Sequence, residues 1–207
     1  MTHPLFVAIE GLSGTGKTGV AGVVTQTLGA AHVATVPDAY TPLRRRLDQP
    51  EELDARFLLF MSGVTLASLA IRRHLNAGAH VAVESYVART VAFHRGMGSS
   101  VLVEMPGLLL PDVTFHLVCE TSERRRRLWA RGGDRHCWDS LAEAHEADIL
   151  AVYRQFGMHR VDTTKLSLPV VADAVLRHPL DGSCRCADVQ PVGSYQNLLS
   201  VVPRRAG

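Results

Sequence analysis

Residues 11–18 read GLSGTGKT, and this motif indicates the fold class. It follows an apolar run at residues 5–9 and precedes a segment at 17–28 whose apolar residues recur at three- and four-residue spacing. The stretch matches G-x-x-x-x-G-K-[ST] at every fixed position. Its glycines let successive backbone N–H groups turn inward as an anion-binding nest, which the N-terminus of the following helix reinforces. We therefore predict a phosphate-binding loop between a buried strand and a helix.

Two side chains at the end of this loop have specific predicted roles. Lys17 can reach the β- and γ-phosphates of a nucleotide, and the hydroxyl of Thr18 can bind Mg²⁺. Lys17 and Lys165 are the only lysines among 22 basic residues, a scarcity that codon bias toward arginine explains. We predict ATP or GTP binding, with loop contacts from Gly11, Ser13, Gly14, Thr15, Gly16, Lys17 and Thr18.

The rest of the chain alternates short apolar runs with longer amphipathic segments. The runs predict strands at 5–9, 31–36, 80–84, 113–120 and 159–162. The amphipathic segments predict helices at 17–28, 51–76, 86–95, 121–131, 138–156 and 168–177. Because the runs lack polar–apolar alternation, both faces of the sheet are expected to be covered. The pattern predicts a three-layer α/β fold, with helices on both sides of a five-stranded parallel sheet.

The domain organisation is simple. We predict one domain at residues 1–178, because no linker or internal repeat interrupts it. Residues 179–207 lack periodicity and are rich in turn-forming residues, so we expect an irregular tail.

Composition excludes several classes of protein. The chain has 207 residues and a formal net charge of +2, which argues against a dedicated nucleic-acid binder. The N-terminus lacks a signal peptide and no apolar run approaches 18 residues, so we expect a cytoplasmic protein without a membrane span. Cys184 and Cys186 are too close for an unstrained disulfide. A single C-x-C pair is also weak support for zinc, so we expect free thiols.

Beyond the loop, five segments carry a resemblance to a known family: LFVAIEGLSGTGKT at 5–18, TPLRRRL at 41–47, VAVESYVARTVAFHRG at 81–96, PDVTFHLVCETSERRRRLWARGGDR at 111–135 and HRVDTTKLSLPVVADAVL at 159–176. In this order they resemble thymidylate kinases and, more loosely, deoxynucleoside kinases, over residues 4–178. The resemblance implies a P-loop kinase fold with a short arginine-containing lid at 131–138, using ATP and Mg²⁺.

The resemblance also implies roles for residues outside the loop. Glu84 falls where thymidylate kinases carry an aspartate and deoxynucleoside kinases a glutamate; a carboxylate there can hold Mg²⁺ through water or accept the acceptor's proton. The lid residues Arg131 and Arg135 are implied to stabilise the transferring phosphoryl group, with Arg127 assisting. We expect most of the run at 124–127 to be exposed, because four consecutive residues cannot all face one site.

The chain departs from the family where the acceptor binds. Thymidylate kinases bind the acceptor phosphate through an arginine after the second strand and another on the long helix; these positions hold Val36 and approximately Gly63. A third family arginine is Ser85, and the usual acidic residue of the loop is Ser13. The loss of several cations leaves an acceptor phosphate poorly compensated. Three nearby arginines could replace them: Arg44, Arg45 and Arg89.

Other candidate acceptor residues follow from their chemistry. Asp38 could bind a substrate hydroxyl or act as a general base, but Pro37-Asp38 is equally good turn chemistry, and both readings stay open. The family's tyrosine–glutamine pair that reads thymine is Phe93-His94 here. Four aromatic residues could stack on a planar substrate, although core packing is favoured for Phe60: Tyr40, Phe60, Tyr86 and Phe93.

These observations predict an ATP- and Mg²⁺-dependent kinase that transfers the γ-phosphate to a nucleoside monophosphate-like small molecule. The missing arginines leave open a kinase of an unphosphorylated hydroxyl acceptor, such as a nucleoside or specialised metabolite. A nucleotide-binding regulatory protein without turnover is a third possibility. The resemblance implies a homodimer, with the apolar helix at 51–76 as its contact surface.

Overall fold

A computed structural model describes residues 3–132 and 137–178 of the chain. Five parallel strands form one sheet in the order β2-β3-β1-β4-β5. The strands are β1 (Phe6–Gly11), β2 (Ala31–His32), β3 (Val81–Glu84), β4 (Val113–Val118) and β5 (His159–Asp162). The prediction of a five-stranded parallel sheet is confirmed.

Within the described parts of the chain, eight helices flank the sheet. They are α1 (Lys17–Leu28), α2 (Thr41–Arg46), α3 (Leu53–Asn76), α4 (Val87–Gly96), α5 (Thr121–Ala130), α6 (Cys137–Ala144), α7 (Glu146–Tyr153) and α8 (Leu168–Leu176). Short 3-10 turns at Asp38–Tyr40 and Pro50–Glu52 precede α2 and α3.

The residues of β1 show how the layers form. Phe6 and Ala8 belong to a core with side chains from α3, α4 and α7. Val7 and Ile9 point the other way, into a second core with side chains from α1 and α8. Because successive strand residues face opposite sides, one apolar strand fills both cores. This arrangement gives the three layers that the sequence predicts.

The second strand is shorter than predicted, since β2 ends at His32 rather than near residue 36. Downstream of β2 the chain packs against α3 at Gly63, where a side-chain Cβ would lie 2.7 Å from the carbonyl oxygen of Thr35. The hydroxyl of Thr35 also donates to the carbonyl of Ser85 at 2.8 Å. These contacts take the place of strand pairing, and the sequence offers no local signal for them.

Two other elements differ from the prediction. Residues 41–46, where no element is predicted, form α2, which has a proline in its first turn. The helix predicted at 138–156 is two helices, because His145 between them leaves the helical conformation with φ −106° and ψ 21°. No residue type in that stretch requires a break, so the sequence could not place it.

Helix α3 and the 3-10 turn before it, Pro50–Asn76, form a segment long and apolar enough to cross a membrane by length and composition alone. Half of its most apolar window is buried inside the fold, where Phe57, Met61, Val64 and Ile71 pack in the core. A core helix of a soluble protein has the same character, so these properties are weak support for a membrane span.

Some predictions lie outside the described residues. They concern Arg135 in the lid, the tail at 179–207, and the thiols of Cys184 and Cys186.

Candidate active site

The predicted phosphate-binding loop lies at the carboxyl end of β1, where parallel sheets bind ligands. Gly11, Gly14 and Gly16 have φ values of +142°, +84° and +95°, in the region that favours glycine. A side chain at Gly11 would also overlap the Leu117 carbonyl oxygen. The loop therefore needs its glycines both for its turns and for its close approach to β4.

Lys17 is the first residue of α1 and is only 7% exposed. Its Nζ donates to the carbonyl of Leu12 at 2.9 Å. Burial lowers the pKa of Lys17 to about 7, and the positive charge of Arg89 acts in the same direction. The ammonium group is thus held inside the loop, where a bound anion would favour its charged form.

Thr18 and Glu84 meet between the loop and the end of β3. The hydroxyl of Thr18 donates to Oε1 of Glu84 at 3.0 Å. A hydroxyl and a carboxylate are oxygen ligands of the kind that Mg²⁺ prefers when phosphates and waters complete its coordination. The pair fits the predicted magnesium site in donor chemistry, and the structure brings the two side chains together.

A cavity of about 560 Å³, here called the P-loop cavity, opens beside the loop. Thr15 and Gly16 line one side, and Arg131 lines another, from the end of α5. Lys165, the second lysine of the chain, also lines it. Lys165 and the predicted lid residue Arg131 therefore line the cavity beside the loop, whereas Lys17 is buried within the loop itself.

The arginine run on α5 divides between solvent and interior. Arg125 and Arg126 are exposed, but Arg127 is half-buried and Arg124 is only 4% exposed, so two of the four are exposed where most were predicted to be. The Nε of Arg124 donates to the carbonyl of Ser13 at 3.0 Å, and its Nη1 pairs with Glu146 at 2.6 Å. Arg124 therefore holds the loop in place, a role that the sequence did not indicate.

Arg127 is half-buried and is held by neighbouring groups. Its Nη2 donates to the carbonyl of Thr163 at 2.6 Å, and its Nε donates to Glu123 at 2.8 Å. It lines the P-loop cavity but already has these partners. Its position favours a structural role beside the predicted assisting one.

A second cavity, the α3–α4 cavity, consists of two adjoining pockets of about 340 and 200 Å³ that share Phe60, Arg89 and Thr90. The first pocket follows the ends of β2 and β3 and includes Glu84. The second extends between α3, α4 and α6, and its other lining residues are Arg44, Asp48, Arg56, Phe93, His94, Trp138 and Asp139. Because Glu84 also contacts Thr18, this cavity begins beside the predicted magnesium site.

The family model for thymidylate kinase matches residues 9–171. The chain belongs to the thymidylate kinase family. It is therefore a kinase, and its reaction is ATP-dependent phosphotransfer to a nucleoside monophosphate. The resemblance predicted from the sequence is confirmed.

Two individual proteins are similar to this chain, in agreement with its membership of the thymidylate kinase family. The thymidylate kinase of Chlorobium chlorochromatii is 28% identical over 219 residues, covering 97% of this chain and 95% of the relative. The structure of thymidylate kinase from Candida albicans superposes with a TM-score of 0.68 at 18% identity, covering 84% of this chain and 90% of that one. The structural match supports the fold.

His94 stands where thymidylate kinases carry a glutamine, and it lies buried on the wall of the α3–α4 cavity. Its ring stacks on Phe57 at a centroid distance of 5.0 Å, and its Nδ1 lies 2.7 Å from the carbonyl of Thr90. Burial lowers the pKa of His94 to about 3, so the imidazole is neutral at physiological pH. A neutral ring beside a carbonyl carries its proton on Nδ1, which leaves Nε2 as a hydrogen-bond acceptor.

The remaining predicted acceptor residues differ in whether they line the α3–α4 cavity. Phe60 is half-buried and lines both pockets of the cavity. Tyr86 is fully buried and its hydroxyl donates to the carbonyl of Leu109 at 3.0 Å, so it packs in the core instead of facing a substrate. Three of these residues line neither cavity: Asp38 and Arg45, which are exposed, and Tyr40, whose hydroxyl lies 3.3 Å from Ser62 Oγ.

Glu10 is a site residue that the sequence reasoning missed. It is fully buried in β1, where its carboxylate accepts the backbone N–H groups of Tyr86 and Arg89, each at 3.0 Å. Burial raises its pKa to about 7, against the opposing charge of Lys17. Glu10 therefore caps the start of α4 and fixes this helix relative to the loop. An acidic residue inside an apolar strand was the signal that could have identified it.

Proposed function

We propose that this thymidylate kinase family protein binds ATP with Mg²⁺ at the P-loop cavity and a nucleoside monophosphate in the α3–α4 cavity. Thymidylate is the first candidate acceptor, because the Chlorobium relative is a thymidylate kinase. The observation that carries the proposal is the contact of Thr18 with Glu84 at 3.0 Å. It supports a cation site between the loop and the α3–α4 cavity, the region where donor and acceptor phosphates would have to meet.

The chemistry is an in-line transfer. An oxygen of the acceptor phosphate attacks the γ-phosphorus of ATP, a new P–O bond forms, and the bond to the β,γ-bridging oxygen breaks as ADP leaves. Lys17 neutralises charge on the β- and γ-phosphates, and Arg131 approaches from the end of α5. Mg²⁺, held by Thr18 and Glu84, would supply further charge neutralisation. Arg135 is proposed for the same role as Arg131.

The acceptor base would lie in the pocket between α3 and α4. Phe60 and Phe93 offer flat apolar surface there. The guanidinium of Arg56 lies over the rings of Phe60 and Trp138 at 4.8 and 4.4 Å and is paired with Asp48 at 2.6 Å, so this wall of the pocket is preorganised. Family membership does not favour the two alternatives, an unphosphorylated acceptor or a protein without turnover.

Two further properties are proposed with the activity. Helix α3 exposes three leucines, Leu58, Leu66 and Leu69, which are 50, 45 and 49% exposed. Their spacing puts them on one side of the helix, and we propose that this surface forms a homodimer. We also propose a cytoplasmic location, with small molecules as the partners and neither nucleic acid nor membrane.

A steady-state assay tests the proposed activity. Purified protein is incubated with ATP and Mg²⁺ and, in turn, thymidylate, other nucleoside monophosphates and the matching nucleosides, while ADP release and product mass are followed. We expect a diphosphate product from a monophosphate, loss of turnover in Lys17→Ala, and little change in Arg154→Ala, an exposed cation outside both cavities. Turnover of nucleosides alone would overturn the proposal.

A further inference from the structure

Arg89 lies at the centre of the α3–α4 cavity. It belongs to the first turn of α4 and lines both pockets, in one of them together with Glu84 and Ser85. Its guanidinium carbon is 4.1 Å from the centroid of the Phe93 ring, which fixes the direction of the side chain. A half-buried cation is thus oriented across the space between the cation site and the acceptor pocket.

Among the described residues, Arg89 lacks the carboxylate partner that two other arginines have. Arg56 pairs with Asp48 and Arg124 with Glu146, both at 2.6 Å. Within residues 3–132 and 137–178, no carboxylate lies within 4.0 Å of the Arg89 guanidinium. Removing a guanidinium from water without pairing it to an anion costs free energy, and a bound anion would offset that cost.

The hydrogen-bonding capacity of Arg89 is also unused. Its Nη1 is excluded from water and has no hydrogen-bond partner among the described residues. The hydroxyl of Tyr153 lies close enough to interact with the guanidinium, but it too lacks a well-formed hydrogen bond. Nε and Nη2 of Arg89 are not among the water-excluded atoms, so they are the donors that an acceptor oxygen in the cavity could reach.

The surroundings add positive potential. Arg89 lies close enough to Lys17 to lower the pKa of that ammonium group. The carboxylates of Glu84 and Glu10 offset part of this potential at Lys17. Arg89 is the cation that lines the α3–α4 cavity, and its charge favours a phosphate group there.

We propose that Arg89 binds the phosphate of the acceptor nucleotide, in place of the arginines that the family carries at Val36, Gly63 and Ser85. The proposal rests on the proposed function, since it needs a monophosphate acceptor. One of the altered positions agrees with it. A side-chain Cβ at Gly63 would lie 2.7 Å from the Thr35 carbonyl oxygen, so this position has no room for an arginine.

The test compares a phosphorylated and an unphosphorylated ligand. Binding of thymidine monophosphate and of thymidine is measured by isothermal titration calorimetry without ATP, in the wild type, Arg89→Met, Arg89→Lys and the exposed control Arg154→Met. Methionine keeps apolar contact with Phe93 but removes the charge. We expect Arg89→Met to weaken monophosphate binding by about 10- to 100-fold and to leave thymidine binding within about 2-fold. The monophosphate affinity of Arg89→Lys should lie between those of the wild type and Arg89→Met, because lysine keeps the positive charge but lacks the paired N–H donors of the guanidinium.

Steady-state kinetics provide the second readout. The KM for the monophosphate should rise in Arg89→Met while the KM for ATP stays within about 2-fold of the wild type. Unchanged monophosphate affinity in Arg89→Met, or equal losses for monophosphate and thymidine, would overturn the role of Arg89 alone. A wild type that neither binds nor phosphorylates any monophosphate would instead overturn the proposed function.

Discussion

Burial and nearby charges lower the pKa of Lys17 in the ligand-free loop, and a bound nucleotide would raise it. In the ligand-free loop its charge is removed from water and faces the positive charge of Arg89, and its pKa falls to about 7 from a usual value of 10.5. At pH 8 the Lys17 side chain of the ligand-free protein is therefore mostly in its neutral amine form. Phosphate oxygens would favour the ammonium form and raise the pKa again, so nucleotide binding should take up a proton.

This proton uptake can be measured. Titration of a non-hydrolysable ATP analogue at pH 8, in buffers of different ionisation enthalpy, should show uptake approaching about one proton. The uptake should decline below pH 7, where Lys17 is already protonated. Lys17→Met is the matched control, because it removes the titrating group and leaves only the protons that belong to the nucleotide. Equal uptake by the wild type and Lys17→Met would show that Lys17 is charged before the nucleotide binds.

At the level of the elements, one close crossing between two helices fixes the wall of the α3–α4 cavity. Gly96, the last residue of α4, has no room for a side chain, because a Cβ there would lie 2.5 Å from the Cα of Ile149 on α7. Ile149 is itself fully buried in the core. The two helices approach closely only because position 96 is a glycine.

A pair of glycine substitutions tests this crossing. Gly96→Ala should lower the free energy of unfolding by about 1–3 kcal/mol, because the backbone of α7 has to move. Gly22→Ala, in the interior of α1 with nothing within 4 Å of the added Cβ, should be neutral or stabilising by up to about 1 kcal/mol. Urea unfolding of both variants gives the comparison. A Gly96→Ala variant as stable as Gly22→Ala would contradict the close packing of α4 and α7.

For the whole molecule, the exposed surface of α3 is the feature that a second copy would explain. Its inner side fills the core with Phe57, Met61, Val64 and Ile71, while three leucines remain on its outer side. Exposed leucines clustered on one helix are a usual mark of an interaction surface. The same segment carries the hydropathy of a membrane span, which a dimer contact also accounts for.

The dimer has a direct test. Sedimentation equilibrium of the wild type should give twice the mass of the chain, and Leu69→Glu should shift the protein to monomer, because a buried unpaired carboxylate opposes association. Val170→Glu is the control: Val170 is 51% exposed on α8, a helix that packs on the opposite face of the sheet. Both variants should keep the helical signal in circular dichroism. A wild type that sediments as a monomer would remove the dimer from the proposal.

Much of this protein could be predicted from local pattern. The loop at residues 11–18, the five strands and helices such as α1 and α5 follow from apolar periodicity and glycine placement, which act within a few residues of chain. The family could be predicted for the same reason, because its motifs are continuous segments. Magnesium, the dimer and the cytoplasmic location stay predictions.

The fold class, the phosphate-binding loop and the family follow from the amino-acid sequence alone. Which polar groups line the α3–α4 cavity follows from tertiary packing: Tyr86 lies in the core, Arg45 is exposed, β2 ends early and Arg89 lines the cavity. The two groups of features differ in how far apart along the chain the residues that determine them lie. A strand or a loop depends on neighbours in the chain, whereas the surroundings of Arg89 are made by segments that meet only when the sheet and its helices have packed.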